Sequence, residues 1–368
     1  EGTDMLALFA AAIAHCSSSM NSKNSGYHVW CPMESPLPPQ GHATCLWHEM
    51  HFNRTTKAQR MCLHAHDRVS DYIRRSGRWP ECDLFSKLWE QHMHVEHGAL
   101  IEVGSNIGAD SSPLPVASPS AANAALTKAA RSSRVSAGAC TLHMLALTPA
   151  TVLAIEPNPQ NLFYLTSTLH AAAVAHDEYA SRVAVLPVAV GEASGESPIF
   201  AEDKNAGNTM LLPNADAVEI RSDLHPTRPK KKMLPVGSVG ARVPVRTLAS
   251  LARPFLSELA SSLAPPGRSH SSSAARASAT GRNHDIMLKI DSQGYECNVL
   301  RGASSELLQQ VRVLVAEVWP VGLQANNCSA AELERLVRAA GFPHVQKSQA
   351  LGDVTLIAHR GQAAGGKD

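Results

Sequence analysis

The chain has no run of the roughly 18–20 apolar residues that a membrane-crossing helix requires. It has no dominant charge either. Its 33 basic and 32 acidic residues leave a formal net charge of +1, so no global field draws it to nucleic acid or to an anionic membrane. None of its eight cysteines stands in Cys-x-x-Cys spacing, and no histidine lies in an acid–histidine helix motif. Zinc is therefore disfavoured. The groups His48/His51, His64/His66 and His92/His94/His97 read as surface or packing side chains. No internal repeat is visible.

What is present is enough chain for a full core, read as one large domain with additions. Residues 1–58 look irregular, with a proline cluster at 32–39. Within them the apolar run 5–14 is followed by His15 and Cys16, like a signal-peptide core, although Glu1 and Asp4 stand where such a peptide wants Lys or Arg. It reads as a targeting remnant or as a plain helix. Five cysteines (Cys16, Cys31, Cys45, Cys62, Cys82) fall in the first 82 residues, which leaves scattered disulfides open and favours a secretory-pathway lumen over the cytoplasm. Cys140, Cys297 and Cys328 fall in or beside the core, where buried free thiols are expected.

From about residue 59 the pattern tightens. Residues 59–98 read as a helical leader, a short strand followed by two helices broken at Gly77 and Pro80, with Asp67 or Ser70 as a cap. Residues 99–360 read as the main domain, and 361–368 as a flexible tail. Strands are expected at 99–103, 151–156, 183–188, 285–291, 312–317, 343–348 and 353–359, and helices near 159–171, 295–309 and 329–340. That alternation predicts an α/β, doubly wound sheet of about seven strands whose last strand runs antiparallel. Three segments near 111–139, 214–241 and 261–284 are Ser/Ala/Pro-rich, Pro/Lys/Gly-rich or low-complexity, and are read as flexible insertions.

Three strand ends carry the chemistry. In LIEVGSNIG, Gly104 and Gly108 let backbone approach a ligand. Asn106 takes the middle position of the turn, where a dinucleotide site wants glycine, so a ligand without a pyrophosphate fits better and a nicotinamide oxidoreductase is disfavoured. Glu102 is placed to accept a hydrogen bond from a ligand ammonium. Glu156, aimed by Pro157 and followed by Asn158, is suited to the two hydroxyls of a ribose. After the third strand, a turn at Gly191 and a hairpin at Gly195 are expected, with Ala189 and Val190 along an adenine slot. In LKIDSQGYE, Lys289 and Asp291 share one side of a strand, where buried charges must be paired or used. Glu296 sits in the first turn of the next helix, and Glu317 closes the strand after it.

These blocks together resemble the FkbM-like family of S-adenosylmethionine-dependent methyltransferases. The first block stands here as Glu102, Gly104, Ser105, Asn106 and Gly108, and the second as Glu156-Pro157 and Asn158. The family's Lys-Ile-Asp-x-Glu-Gly-x-Glu stands as Lys289, Ile290, Asp291, Gly294 and Glu296, followed by Val299, Leu300 and Gly302, and Gly341-Phe342 precede the last hairpin. The leader with Val69-Ser70, Ile73, Gly77 and Trp79 is similar to that of eukaryotic members. Gln293 departs from the usual Glu and Ser105 from Ala. The gap from Gly104 to Glu156 exceeds the roughly 20 residues of a compact strand–helix–strand unit, so the first helix is expected to restart near Ser118-Pro119.

The resemblance implies S-adenosyl-L-methionine as cofactor and O-methylation of a hydroxyl on a sugar, glycan or small molecule. Asp291 is then the first candidate base, Glu317 the second, with Lys289 orienting or neutralising; Glu102, Gly104, Ser105, Asn106, Gly108, Glu156, Asn158 and Ala189 are the candidate cofactor contacts. A catalytically inactive nucleoside-binding scaffold of the same fold is the alternative.

Overall fold

The computed structural model describes residues 28–39, 43–52, 58–65, 68–93, 98–104, 138–202, 205–212, 218–221, 230–236, 242–262, 285–348 and 354–361. Strands β1 (Leu46–Met50) and β2 (Gln59–Leu63) pair antiparallel, with Trp47 opposite Cys62. β1 thus puts order into the segment expected to be irregular, because its ladder partner lies in the leader. Helices α1 (Arg68–Ser76) and α2 (Pro80–His92) follow. Ser70 does not cap α1; its Oγ lies inside the helix and accepts the backbone N–H of His64. Asp67 and the apolar run 5–14 lie outside the described residues.

The main sheet starts at β3 (Ala99–Val103). Then come α3 (Ala139–Leu147), β4 (Thr151–Ile155), α4 (Pro159–Ala175) and β5 (Val183–Leu186). α4 starts sharply because the Asn158 side chain accepts the N–H of Gln160 and Pro159 holds the first helical position. Ser118-Pro119, the expected restart of the first helix, lies outside the described residues; the described helix opens at Ala139.

A second layer of short strands comes next: β6 (Ala189–Val190), β7 (Gly195–Glu202), β8 (Asn205–Leu211), β9 (Val218–Arg221), β10 (Lys230–Pro235) and β11 (Arg242–Arg246). Two expectations are corrected here. No hairpin forms at Gly195, because β11 inserts between β6 and β7, parallel to the first and antiparallel to the second. The segment 214–241 is not wholly an insertion, because β9 and β10 pair with each other and β10 pairs with β7. A ladder needs backbone partners rather than apolar side chains, so composition did not reveal it.

Helix α5 (Leu248–Ser262) leads toward β12 (Ile286–Ile290); most of the 261–284 segment lies outside the described residues. The single helix expected at 295–309 is two, α6 (Glu296–Arg301) and α7 (Ser305–Gln310). The break falls at Gly302, where an added Cβ would come within 2.0 Å of the Gly191 carbonyl oxygen, and Ser304 caps the restart by accepting from Leu307 N–H. β13 (Val311–Val318), α8 (Pro320–Ala325), α9 (Ala330–Ala339), β14 (His344–Ser348) and β15 (Val354–His359) complete the chain.

The seven strands lie in the order β14-β15-β13-β12-β3-β4-β5. The five from β13 to β5 run parallel, and β15 is antiparallel to both β13 and β14. Side chains alternate across the sheet. Leu100, Val152, Met287 and Val313 face the leader, α3 and α4, whereas Ile101, Leu153, Leu288 and Leu314 face the side of α5, α6, α7 and α9. With both faces covered, parallel strands read as continuous apolar runs, which is why they were legible. Among the described residues no helix is long and apolar enough to cross a membrane.

The thiols are bonded rather than free. Cys82 pairs with Cys140, tying α2 to α3, and Cys297 pairs with Cys328, while Cys45–Cys62 closes the hairpin. The expectation of free thiols at Cys140, Cys297 and Cys328 fails because their partners become neighbours only in the folded chain.

Candidate active site

The cleft opens where β3, β4 and β12 end. It is open to solvent and is lined by Gly104, Glu156, Ala189, Thr209, Asp291 and Gln293, among others. Gly104 is required by the close approach of two backbone segments: its φ is 73°, and a Cβ there would stand 1.8 Å from the Asp291 carbonyl oxygen. No L side chain satisfies both constraints. Ser105, Asn106 and Gly108 lie outside the described residues.

Glu156 is 1% exposed. Its Oε1 accepts the backbone N–H of Asn158 at 2.7 Å and the side chain of Asn161 at 3.3 Å. Its Oε2 is buried and has no partner among the described residues. Burial pushes the carboxyl up to about 8 against the lowering effect of those two hydrogen bonds. A buried, half-satisfied carboxyl on a cleft wall is a group awaiting a hydrogen-bond donor. Asn158 caps α4 with its oxygen, and its amide nitrogen donates to Thr209 Oγ1 at 2.8 Å. Thr209 comes from β8, and no sequence signal marked it, since its position depends on the β7–β8 ladder.

Glu102 and Lys289 are brought together, but beneath the cleft rather than on its wall. Lys289 Nζ lies 3.0 Å from Glu102 Oε1, 3.3 Å from the Gly104 carbonyl and 3.6 Å from Asp291 Oδ2. Thr141 Oγ1 donates to the other oxygen of Glu102. Burial opposes the charge on Lys289, but Glu102 and Asp291 outweigh it and raise its pKa above the ordinary value. Glu81, at the start of α2, also acts electrostatically on this group and accepts from Trp79 Nε1 at 3.2 Å. Burial, opposed by Lys289, raises the Glu81 carboxyl to about 7. Sequence reading passed over Glu81, because nothing local shows that the leader folds against this strand end.

The turn after β12 is organised by two side chains. Glu296 Oε1 accepts from the N–H groups of Ser292 and Gly294 and from Ser292 Oγ, at 2.9, 3.1 and 3.1 Å. Burial raises its carboxyl to about 7 despite those bonds. Gln293 donates to Asp291 Oδ1 at 2.7 Å and to Glu317 Oε2 at 2.9 Å. The sequence-derived candidates thus divide. Gly104, Glu156, Ala189 and Asp291 line the cleft; Glu317 joins it through Gln293; Glu102 and Lys289 support it from below; Asn158 shapes its rim.

A family profile described as the Methyltransferase FkbM domain matches residues 137–343, more than half of the chain. No curated protein and no solved structure matches it.

Proposed function

Because the chain belongs to the FkbM methyltransferase family, we propose that it is an S-adenosylmethionine-dependent O-methyltransferase acting on a hydroxyl of a sugar, glycan or small molecule. The observation that carries the donor half of this reading is Glu156, whose unpartnered buried Oε2 sits at the end of β4 in the cleft. An acid in that place suits a ribose diol. The strand order, with its antiparallel β15, supports a Rossmann-like, doubly wound methyltransferase sheet.

The residues present fit the donor. Glu156 would hold the ribose hydroxyls, the Gly104 backbone would give close approach, and Ala189 with Val190 would line the adenine side. Bound S-adenosylmethionine supplies an already activated methyl group. The protein's part is then to align, to exclude water and to manage one proton. Asp291, 8% exposed on the cleft wall, is the group placed to take the proton of an acceptor hydroxyl. Lys289 beneath it and Gln293 beside it hold that carboxylate in place. Glu317 is the second carboxylate within reach of the same amide. The disulfides among the described residues support residence in an oxidising compartment, in keeping with a secretory-pathway lumen.

The test is incubation with methyl-labelled donor and a panel of glycosides, glycans and small hydroxyl compounds. Label is expected in an alkali-stable ether. Asp291→Asn keeps the shape and removes the base, so transfer should fall by about 10²–10⁴-fold with donor affinity little changed. Transfer to nitrogen or carboxylate instead, or full turnover in Asp291→Asn, would overturn the assignment.

A further inference from the structure

Gln293 stands where the resemblance led one to expect a carboxylate, and its setting gives that difference a meaning. The residue is 3% exposed and holds a left-handed backbone, φ 55°. Its side-chain nitrogen spans two carboxylates, Asp291 at the end of β12 and Glu317 near the end of the adjacent parallel strand β13. Both amide hydrogens are used. The reverse orientation would set the carbonyl oxygen against two carboxylates, so the charges themselves fix which atom faces them. Oε1 is left buried with no partner among the described residues. A fold carries an unpaired buried acceptor and a left-handed non-glycine residue side by side only where the surroundings impose both.

Two carboxylates this close are held together by a shared proton, by a divalent cation or by a hydrogen-bond donor. Here the donor is an amide belonging to the chain. We propose that Gln293 is a positioning residue that takes the place of a divalent cation between Asp291 and Glu317, holding both carboxylates in position in the cleft without metal. The bridge is a property of the free protein. Only its use in the reaction rests on the transferase reading.

The other charges facing this pair sharpen the test. Lys289, two residues before Asp291 along the same stretch, lies 3.6 Å from it and is held by Glu102 from β3. The charge of Asp291 in turn helps raise the carboxyls of Glu81 from α2, Glu156 at the end of β4 and Glu296 from α6. A third carboxylate at position 293 would therefore stand directly against Asp291 and Glu317, the two acceptors of the present amide.

Gln293→Glu and Gln293→Met are compared with the wild type by thermal unfolding at about pH 5.5 and about pH 8, in chelator and in manganese chloride, and by calorimetric titration with manganese. The wild type should give no manganese heat at this cluster and the same S-adenosylhomocysteine affinity in chelator and in manganese. Gln293→Glu should lower the midpoint by about 3–8 °C near pH 8. That deficit should shrink as pH falls and the extra carboxylate takes a proton, and again when manganese fills the three-oxygen site. Gln293→Met loses the donor without adding charge, so its deficit should also shrink as pH falls and Asp291 and Glu317 share a proton, but manganese should relieve it less than in Gln293→Glu, which supplies a third oxygen. Wild-type manganese binding that Asp291→Asn abolishes would overturn the proposal, and so would a Gln293→Glu protein as stable as wild type in chelator near pH 8. Should Gln293→Glu fail to fold, the wild-type titration with Asp291→Asn as control still decides. None of these readouts needs a methyl acceptor, which separates this proposal from the transferase reading.

Discussion

Lys289 Nζ lies 3.0 Å from Glu102 Oε1, and both side chains are 2% exposed. The pair spans two neighbouring parallel strands in register, Lys289 opposite Glu102. A buried ion pair adds little net stability over an apolar pair, but losing one partner strands the other charge. Lys289→Met should cost about 3–5 kcal/mol in urea unfolding, and Lys289→Met with Glu102→Gln should recover most of it. A double variant no better than the single one would show that the pair is not coupled in this way.

Glu156 links pH to donor binding under the proposed function. Burial holds its carboxyl at about 8 in the free protein, so near neutrality it is largely protonated. Ribose hydroxyls donating to it would favour the ionised form and lower that pKa. Affinity for S-adenosylhomocysteine should therefore rise from about pH 6 to about pH 8 with release of a proton, seen by calorimetry in buffers of different ionisation heat. Glu156→Gln should lose about tenfold in affinity or more, and its binding should become flat with pH. Binding by the wild type without proton release would contradict the ribose assignment.

The leader is fastened to the sheet covalently as well as by packing. Cys82–Cys140 joins residues 58 apart in sequence. Closing a loop of that size removes unfolded-chain entropy worth about 4 kcal/mol in the chain-entropy model. Replacing both cysteines with alanine should lower stability by roughly 2–4 kcal/mol, read as a lower denaturant midpoint with a steeper slope, because the uncrosslinked unfolded chain exposes more surface. Equal stability in the two proteins would mean that packing alone seats α2.

Two buried histidines should make the fold sensitive to acid. Burial holds His64, packed at a tilt against Tyr164, down to about 3, and His143 down to about 4. Both folded values lie below the unfolded value. Their contribution is therefore present above about pH 6.5 and is lost as pH falls toward 4 and 3. Each adds about 1.4 kcal/mol of lost stability per pH unit in that window. His64→Phe should flatten the acid limb of a stability–pH profile, and an unchanged limb would place the sensitivity elsewhere.

The sequence by itself determined the strands of the main sheet and their ends. β3, β4, β12 and β13 are buried on both faces and so read as apolar runs, and the residues that stop them, Gly104, Glu156 and Asp291, are the ones that reach the cleft. Those features are local: a proline, a glycine or a carboxylate after four or five apolar residues shows in any short window. The tertiary structure alone decided how the charges are used. Glu102 looked like a ligand contact, yet its oxygens are taken by Lys289, 187 residues away, and by Thr141. Glu81, Thr209 and the β9–β10 pair carried no local mark, because what places them is contact with distant backbone. The same holds for Cys82–Cys140 and Cys297–Cys328, since a thiol's partner is set by which elements pack together. Periodicity reports which face a residue turns to the core, whereas pairing across that core depends on the packing of whole elements, which no single window contains.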